Sequence, residues 1–411
     1  MSSRTSACLS CGSTGCVPVL DLGRTPLANS LLKPDQRNLP ESTSPLVLAF
    51  CPACSLVQIT ETTPPESLFR DYVYFSSFSD TMLRHCKSLV DRLYCERQLG
   101  PNHHVVEIAS NDGYLLQFYK QHGVPVLGVE PARNIAKVAE ERGIPTICEF
   151  FTNDLAAQLS GGGKQADIIH ANNVLAHVPD LNGFVAGLKR LLMPNGAIVI
   201  EAPYLVDMID HCEFDTIYHE HLCYFSLTAL DRLFTKHGLT IFDVERIPIH
   251  GGSLRIFATH SDPRLDRRPA VAEMLRSEAA WGVASLEKYR RFSTQVEQLA
   301  ADLRRTLMEL KQQGKKIAAY GASAKGSTLL NYLRPGPGTL EYVVDRSTIK
   351  QGLLTPGLHL PIFPPTRLVE TMPDYVLLLT WNFKDEILEQ QAEYRRRGGK
   401  FIVPIPKVQV I

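Results

Sequence analysis

A chain of 411 residues is too long for one ordinary hydrophobic core, so two or three domains are expected. Its 43 basic residues match its 43 acidic ones, which removes the electrostatic case for a protein that coats nucleic acid or an anionic membrane. No stretch approaches the apolar length of a membrane span, and residues 1–7 lack the basic-then-apolar pattern of a signal peptide, so the expected compartment is the cytoplasm.

In chain order, the first signal is a pair of thiols, Cys8-Leu9-Ser10-Cys11, answered by a second pair, Cys51-Pro52-Ala53-Cys54. Each pair grips one metal ion from a single turn, and together Cys8, Cys11, Cys51 and Cys54 supply the soft ligands of a closed tetrahedral zinc site. The alternative is buried cysteines that fall at this spacing by chance. The location reads as structural, and the remaining cysteines read as free thiols of a reducing compartment. The short apolar runs at 46–50 and 56–59, broken by Pro and Ser, hardly bury a core without the metal.

An aromatic and hydroxyl-rich stretch, Tyr72 to Ser79, precedes an amphipathic helix predicted over 81–99. Strand and helix patterns then alternate. Strands are expected at 105–109, 126–130, 168–171 and 197–201, with helices at 114–122, 135–142 and 184–192, a pattern that means a parallel sheet with helices on both faces. Runs at 239–249 and 253–259 follow without a helix between them and are expected to close the sheet as an antiparallel edge. Residues 270–314 read as a helical connector. A second alternating unit, with strands at 316–320, 342–345, 375–380 and 400–404, predicts a smaller doubly wound domain. The fold class is α/β, with expected segments 1–68, 69–262, 263–314 and 315–411.

After the first strand of the central unit, Ser110-Asn111-Asp112-Gly113 offers small and polar residues that let backbone approach a ligand at a helix N-terminus. The full G-x-G-x-x-G of a pyrophosphate site is missing. Glu130 ends the second strand, 23 positions after Glu107, where a carboxylate accepts the two hydroxyl protons of an adenosine ribose or is simply a solvated strand cap. A nucleoside ligand without pyrophosphate fits, and S-adenosylmethionine meets that description. Further on, Asn173 and His177 follow a strand end and point at the same pocket, although a lone His there also serves as a helix cap. The densest titratable cluster is Tyr218-His219-Glu220-His221, which suits proton transfer better than a second metal for want of a third ligand.

These motifs, with His250-Gly251-Gly252-Ser253-Leu254-Arg255 and Gly321-Ala322-Ser323-Ala324-Lys325-Gly326, together resemble the sugar C-methyltransferases of deoxysugar biosynthesis, which act on nucleotide-linked 4-keto-sugars, typically at C3. The resemblance covers nearly the whole chain in order. It implies a structural Zn2+ module, a central class I methyltransferase (Rossmann-like) domain that binds S-adenosylmethionine, and a C-terminal Rossmann-like domain, with the sugar between the latter two. It carries Tyr218, Glu220 and His221 over as active-site groups, His177 as a histidine close to the sugar, and Asn173 to the methionine part of the cofactor. Glu107, Ala109, Asn111, Gly113 and Glu130 fall in the cofactor turn, and Tyr72 to Ser79, with Tyr74 and Ser77, looks like the segment closing over it. The family usually has Gly where this chain has Ala109.

The chemistry requires a nucleophilic carbon, hence a base that removes a proton beside a ketone. Imidazole, with a pKa of about 6.5, is largely neutral at working pH, and His221 is the candidate. Glu220 orients or polarises it, while Tyr218 or His177 hydrogen-bonds the enolate oxygen. Ser323 and Lys325 either gather the diphosphate of the nucleotide-sugar substrate or belong to a degenerate dinucleotide fold kept for packing. Arg255 is either a phosphate ligand or a surface strand residue. An O- or N-methyltransferase and a non-catalytic binding protein are the competing readings, and the missing fingerprint argues against a nicotinamide-dependent oxidoreductase. No nucleic acid or membrane partner is expected, and the chain is read as a monomer or weak homo-oligomer.

Overall fold

The structure, a computed structural model, describes residues 7–70, 75–249 and 251–411. Strands β1 (Val17–Thr25), β2 (Ser44–Phe50) and β3 (Val57–Ile59) pair antiparallel in sequence. The apolar residues of β2 and β3 that the sequence showed as broken runs, among them Leu48, Phe50, Val57 and Ile59, are buried. The second cysteine pair forms the turn between these two strands, closed by Cys51 N–H donating to Leu56 O at 2.8 Å.

The chain continues through α1 (Pro65–Phe69) and α2 (Asp80–Glu96), whose first turn is capped by Ser79 Oγ accepting from Met82 N–H. Then follow β4 (Val105–Ile108), α3 (Leu116–Gln121), β5 (Val126–Val129), α4 (Arg133–Glu141), β6 (Thr146–Ile147), α5 (Asn153–Gly161), β7 (Ala166–Asn172), α6 (Leu181–Leu191), β8 (Leu192–Pro203), α7 (Leu205–Asp210), β9 (Cys223–Tyr224), α8 (Leu227–Lys236), β10 (Leu239–Ile247) and β11 (Ser253–His260). The 7-stranded sheet has the order β10-β11-β8-β7-β4-β5-β6. Its pairs from β6 to β8 are parallel and its β8–β11–β10 edge is antiparallel, as the uninterrupted pair of late strands predicts. The near-continuous apolar runs of β4, β7 and β8 are covered on both faces, as parallel strands require. β9 leaves this sheet and pairs with β3, so the N-terminal sheet is completed from the middle of the chain.

The connector is two helices, α9 (Pro269–Trp281) and α10 (Leu286–Gln312), parted at Gly282, which takes the left-handed conformation at φ 95°. One stripe of α10, Tyr289, Phe292, Val296, Leu299 and Leu303, is buried at helical spacing. The Tyr289 ring stacks on Phe50 with centroids 4.5 Å apart. The last part contains β12 (Ile317–Tyr320), α11 (Ala324–Leu333), β13 (Val343–Val344), β14 (Ile362–Phe363), β15 (Tyr375–Leu378), β16 (Lys400–Val403) and β17 (Gln409–Val410), in a 6-stranded sheet ordered β14-β13-β12-β15-β16-β17. Thr328 of α11 donates to Ile217 O at 3.2 Å, and Leu32 and Leu354 exchange backbone hydrogen bonds of 3.0 and 2.8 Å. The three sheets thereby meet around one cavity.

Candidate active site

The cavity, of about 770 Å³, opens beyond the carboxyl ends of β4, β5 and β7, faced by the turn after β12, where open parallel sheets bind ligands. β4 turns sharply. Ala109, Asn111 and Gly113 all lie in the left-handed region, at φ 51°, 50° and 77°. That conformation aims the turn at Glu130, whose carboxylate accepts from Asn111 N–H at 2.9 Å and Ala132 N–H at 2.8 Å. Burial raises the Glu130 carboxyl above its ordinary range, and those two amides pull it back. Ala109, Asn111, Glu130 and Asn173 line the cavity. Glu107 and Gly113 support it from behind: Glu107 is buried in β4, its carboxyl pushed well up by burial, and Ile144 packs where a Gly113 side chain would go. Ser77 donates to Asp112 at 2.5 Å, tying the segment before α2 to the same turn. Tyr74 and His250 lie outside the described residues.

Opposite this turn stands the aromatic cluster. A carbonyl oxygen only accepts, so His221 Nδ1, 2.9 Å from Thr216 O, carries a proton, and in the neutral ring Nε2 is the nitrogen with the lone pair. Tyr218 OH donates to that Nε2 at 2.8 Å. By the same logic His177 Nδ1, 2.6 Å from Glu220 O, is protonated, and burial holds the ring neutral by pushing its pKa down to about 4. The His177 and His221 rings meet edge to face at 4.9 Å. Tyr218, His177 and His221 line the cavity. The Glu220 carboxylate is only 4% exposed and lies behind them, accepting from Asn29 Nδ2 at 2.7 Å; burial pushes it up to about 7, with the Asn29 amide lowering it.

The C-terminal sheet contributes Ser323, Lys325 and Lys350 to the lining. Ser323 Oγ caps α11 by accepting from Gly326 N–H at 3.1 Å. Lys325 Nζ is buried 4.8 Å from the centre of the Trp381 ring and has no hydrogen-bond partner among the described residues. Arg255 does not reach the cavity. Strand alternation turns it toward α2, where its three nitrogens bond Glu201 and Glu245 at 2.7 Å each and His85 at 3.0 Å, away from the cavity lining. Asn29 and Asn172 are among the lining residues that the sequence did not single out. Asn29 comes from the N-terminal part of the chain, and Asn172 is the last residue of β7, its amide buried with neither end hydrogen-bonded among the described residues. Only the position of Asn172, one before Asn173 at a strand end, could have signalled it.

Away from the cavity, the sulfur atoms of Cys8, Cys11, Cys51 and Cys54 all lie within 4.8 Å of one another. Cys8 and Cys54 are 3.4 Å apart, and Cys11 and Cys51 3.6 Å. Zinc–sulfur bonds of about 2.3 Å in a tetrahedron set sulfur edges of about 3.8 Å, so the cluster fits a structural zinc ion.

A helix-flanked parallel sheet with an antiparallel edge, a carboxylate at the end of its second strand and no phosphate fingerprint define the class: an S-adenosylmethionine-dependent methyltransferase. Three family models match, described as a zinc binding domain over residues 8–69, a methyltransferase domain over residues 78–244 and a C-methyltransferase C-terminal domain over residues 248–406. The chain is 38% identical over 406 residues to the C-methyltransferase NovU of Streptomyces niveus, covering 98% of this chain and 96% of that protein. It is 31% identical over 105 residues to a ubiquinone biosynthesis O-methyltransferase of Pasteurella multocida, covering 23% of this chain and 43% of that one. Among solved structures, magnesium protoporphyrin IX methyltransferase from Synechocystis with bound SAM aligns with a TM-score of 0.35 and 15% identity over 46% of this chain and 86% of that one. The chain belongs to the zinc-bearing C-methyltransferase family and is an S-adenosylmethionine-dependent enzyme acting on a small molecule.

Proposed function

We propose that the acceptor is a nucleotide-linked 4-keto-deoxysugar, methylated at the carbon beside its ketone, C3, by a base in the Tyr218–His221 cluster. The observation that carries this reading is the orientation of His221: Thr216 O accepts from Nδ1, which leaves Nε2, hydrogen-bonded to Tyr218 OH, as the nitrogen on the cavity side. An O- or N-acceptor has less need of such a base, because its nucleophilic atom already bears a lone pair.

In this mechanism Nε2 takes the proton as the carbon–hydrogen bond breaks. Tyr218 OH, which donates to Nε2 in this structure, turns to the ketone oxygen as negative charge gathers there. His177 presents only a lone pair at Nε2 and so accepts from a sugar hydroxyl. When bound, S-adenosylmethionine supplies an electrophilic methyl whose bond to sulfur breaks as the new carbon–carbon bond forms. Glu130 accepts from the ribose hydroxyls, and the unpaired amide of Asn172 joins Asn173 at the amino-acid end. The buried ammonium of Lys325 faces the diphosphate, and the imidazolium of His221 returns its proton to solvent. The segments 1–68, 69–262, 263–314 and 315–411 are read as zinc module, cofactor domain, connector and nucleotide-holding domain. With no helix among the described residues long and apolar enough to cross a membrane, the reading is of an enzyme working in the cytoplasm, as a monomer or weak homo-oligomer.

Incubation with isotopically labelled S-adenosylmethionine and a panel of nucleoside diphosphate 4-keto-sugars, followed by NMR location of the added carbon, tests this directly. Label bonded to a ring carbon next to the ketone supports it. Label on oxygen or nitrogen, or no transfer to any keto-sugar, refutes it.

A further inference from the structure

The carboxylate of Glu220 poses a problem that the reading above leaves open. It belongs to the cluster, yet it lies behind the residues that face the cavity. Among the described residues its side-chain partner is Asn29, 191 positions away, which does line the cavity. The segment bearing Asn29 is held at both ends. It follows β1 on one side, and on the other Leu32 exchanges backbone hydrogen bonds with Leu354. Nearby, Glu41 accepts from Gly357 N–H at 2.9 Å and pairs with His359 at 2.5 Å. An amide anchored this way has one N–H committed to Glu220, which leaves its oxygen and its second N–H for a ligand.

We infer that Asn29 is a substrate-facing residue of the active site, contributed by the N-terminal zinc-bearing part of the chain, and that Glu220 acts through it by fixing which end of the amide meets a sugar hydroxyl. This rests on the reading of the cavity as the sugar site. Ionised Glu220 accepts from the amide nitrogen, whereas protonated Glu220 donates to the amide oxygen and reverses the face offered to the sugar. Beside Glu220 in the chain stand Tyr218, His219 and His221, and His177 Nδ1 bonds its backbone oxygen at 2.6 Å. Burial holds His177 down to about 4 and lowers His219, and the influences on Glu220 itself are burial, which takes it up to about 7, and Asn29. Protonation of the proposed His221 base also lowers activity toward acid, so the pair reports as the change in that acid limb when Asn29 or Glu220 is replaced.

The test compares Glu220→Gln, Asn29→Ala and the double variant by kcat/KM for the nucleotide sugar across pH, with zinc content, melting temperature and S-adenosylmethionine affinity as controls. Glu220→Gln must first be impaired; wild-type activity there sinks the reading of the site itself. Given that impairment, Asn29→Ala is expected to lose about 10- to 100-fold in kcat/KM, the size of a hydrogen bond to a charged group. The acid limb should change in the same way in both single variants, leaving the part set by the His221 base, and the double variant should be little worse than either. Asn29→Asp, which keeps the shape but removes the N–H, should behave like Asn29→Ala. Wild-type rates and an intact limb in Asn29→Ala, multiplicative losses in the double variant, or losses that track zinc content and melting temperature each overturn the inference.

Discussion

Ala109 shows what a single methyl group does in this fold. It sits at φ 51°, where the residue's Cβ crowds the following carbonyl. The turn holds it there because Glu130 and Asn111 close the loop around it. Ala109→Gly removes strain of about 1–2 kcal/mol but returns about 0.4–1 kcal/mol of unfolded-chain freedom. Thermal melting should therefore show an unchanged or slightly raised midpoint, and a loss of more than about 1 kcal/mol contradicts the left-handed turn. Lys325 is the other residue whose setting forecasts a measurable effect. Burial raises the carboxyls of Glu213, to about 8, and Asp215, and the Lys325 ammonium, which has no hydrogen-bond partner among the described residues, offsets part of that rise; the proposed function aims it at a diphosphate. Lys325→Met, which keeps the stem over Trp381, should raise KM for the nucleotide sugar about 10- to 100-fold with kcat within a few-fold; an unchanged KM removes the phosphate role.

Among elements, those with a strong period were legible and those built by long-range pairing were not. The alternation of β4, β5, β7 and β8 with α3, α4 and α6 stands in the sequence because each strand is a short apolar run and each helix repeats every three to four residues. β6, β9 and β14 are two residues long, too short for any period, and exist because a partner strand is already in place. α8 and β1 carry weaker local signals and owe their place to packing. In the site, the Tyr218-to-His221 cluster was readable because its members are adjacent. Asn29 was not, since nothing local marks an asparagine whose partner lies 191 residues on. Arg255 misled for the opposite reason: a basic residue beside glycines suggests phosphate, but the pleat turns it inward to Glu201, directly opposite it on β8. The cysteine turns were legible, and their role is testable at this scale. Cys51→Ser replaces a soft thiolate with a hydroxyl, so zinc per chain measured by elemental analysis should fall well below one and the yield of folded protein should drop. Full zinc occupancy in that variant would falsify the ligand assignment.

Across the whole molecule, the arrangement explains why one chain carries a metal cluster, a cofactor sheet and a second doubly wound sheet. In the proposed function the central part of the chain holds the cofactor turn and the base, and the cavity is lined by Asn29 from the N-terminal part and by Ser323, Lys325 and Lys350 from the C-terminal part. The packing of α10 on Phe50 and the Leu32–Leu354 pairing tie these outer parts to each other as well as to the centre. The zinc cluster lies in the turns of the same N-terminal sheet that β9, two residues past His221, completes. Losing the metal should therefore disturb the catalytic cluster through that shared strand.

The central claim, that His221 removes a proton from carbon, is tested most directly in deuterium oxide with S-adenosylhomocysteine in place of the methyl donor. Wild-type protein should wash one deuterium into the keto-sugar at the carbon beside the ketone, followed by NMR, while His221→Ala, still binding the cofactor, should leave that position protonated. Wild-type protein that methylates the keto-sugar with S-adenosylmethionine yet shows no such exchange with S-adenosylhomocysteine, or exchange in His221→Ala at the wild-type rate, contradicts the account.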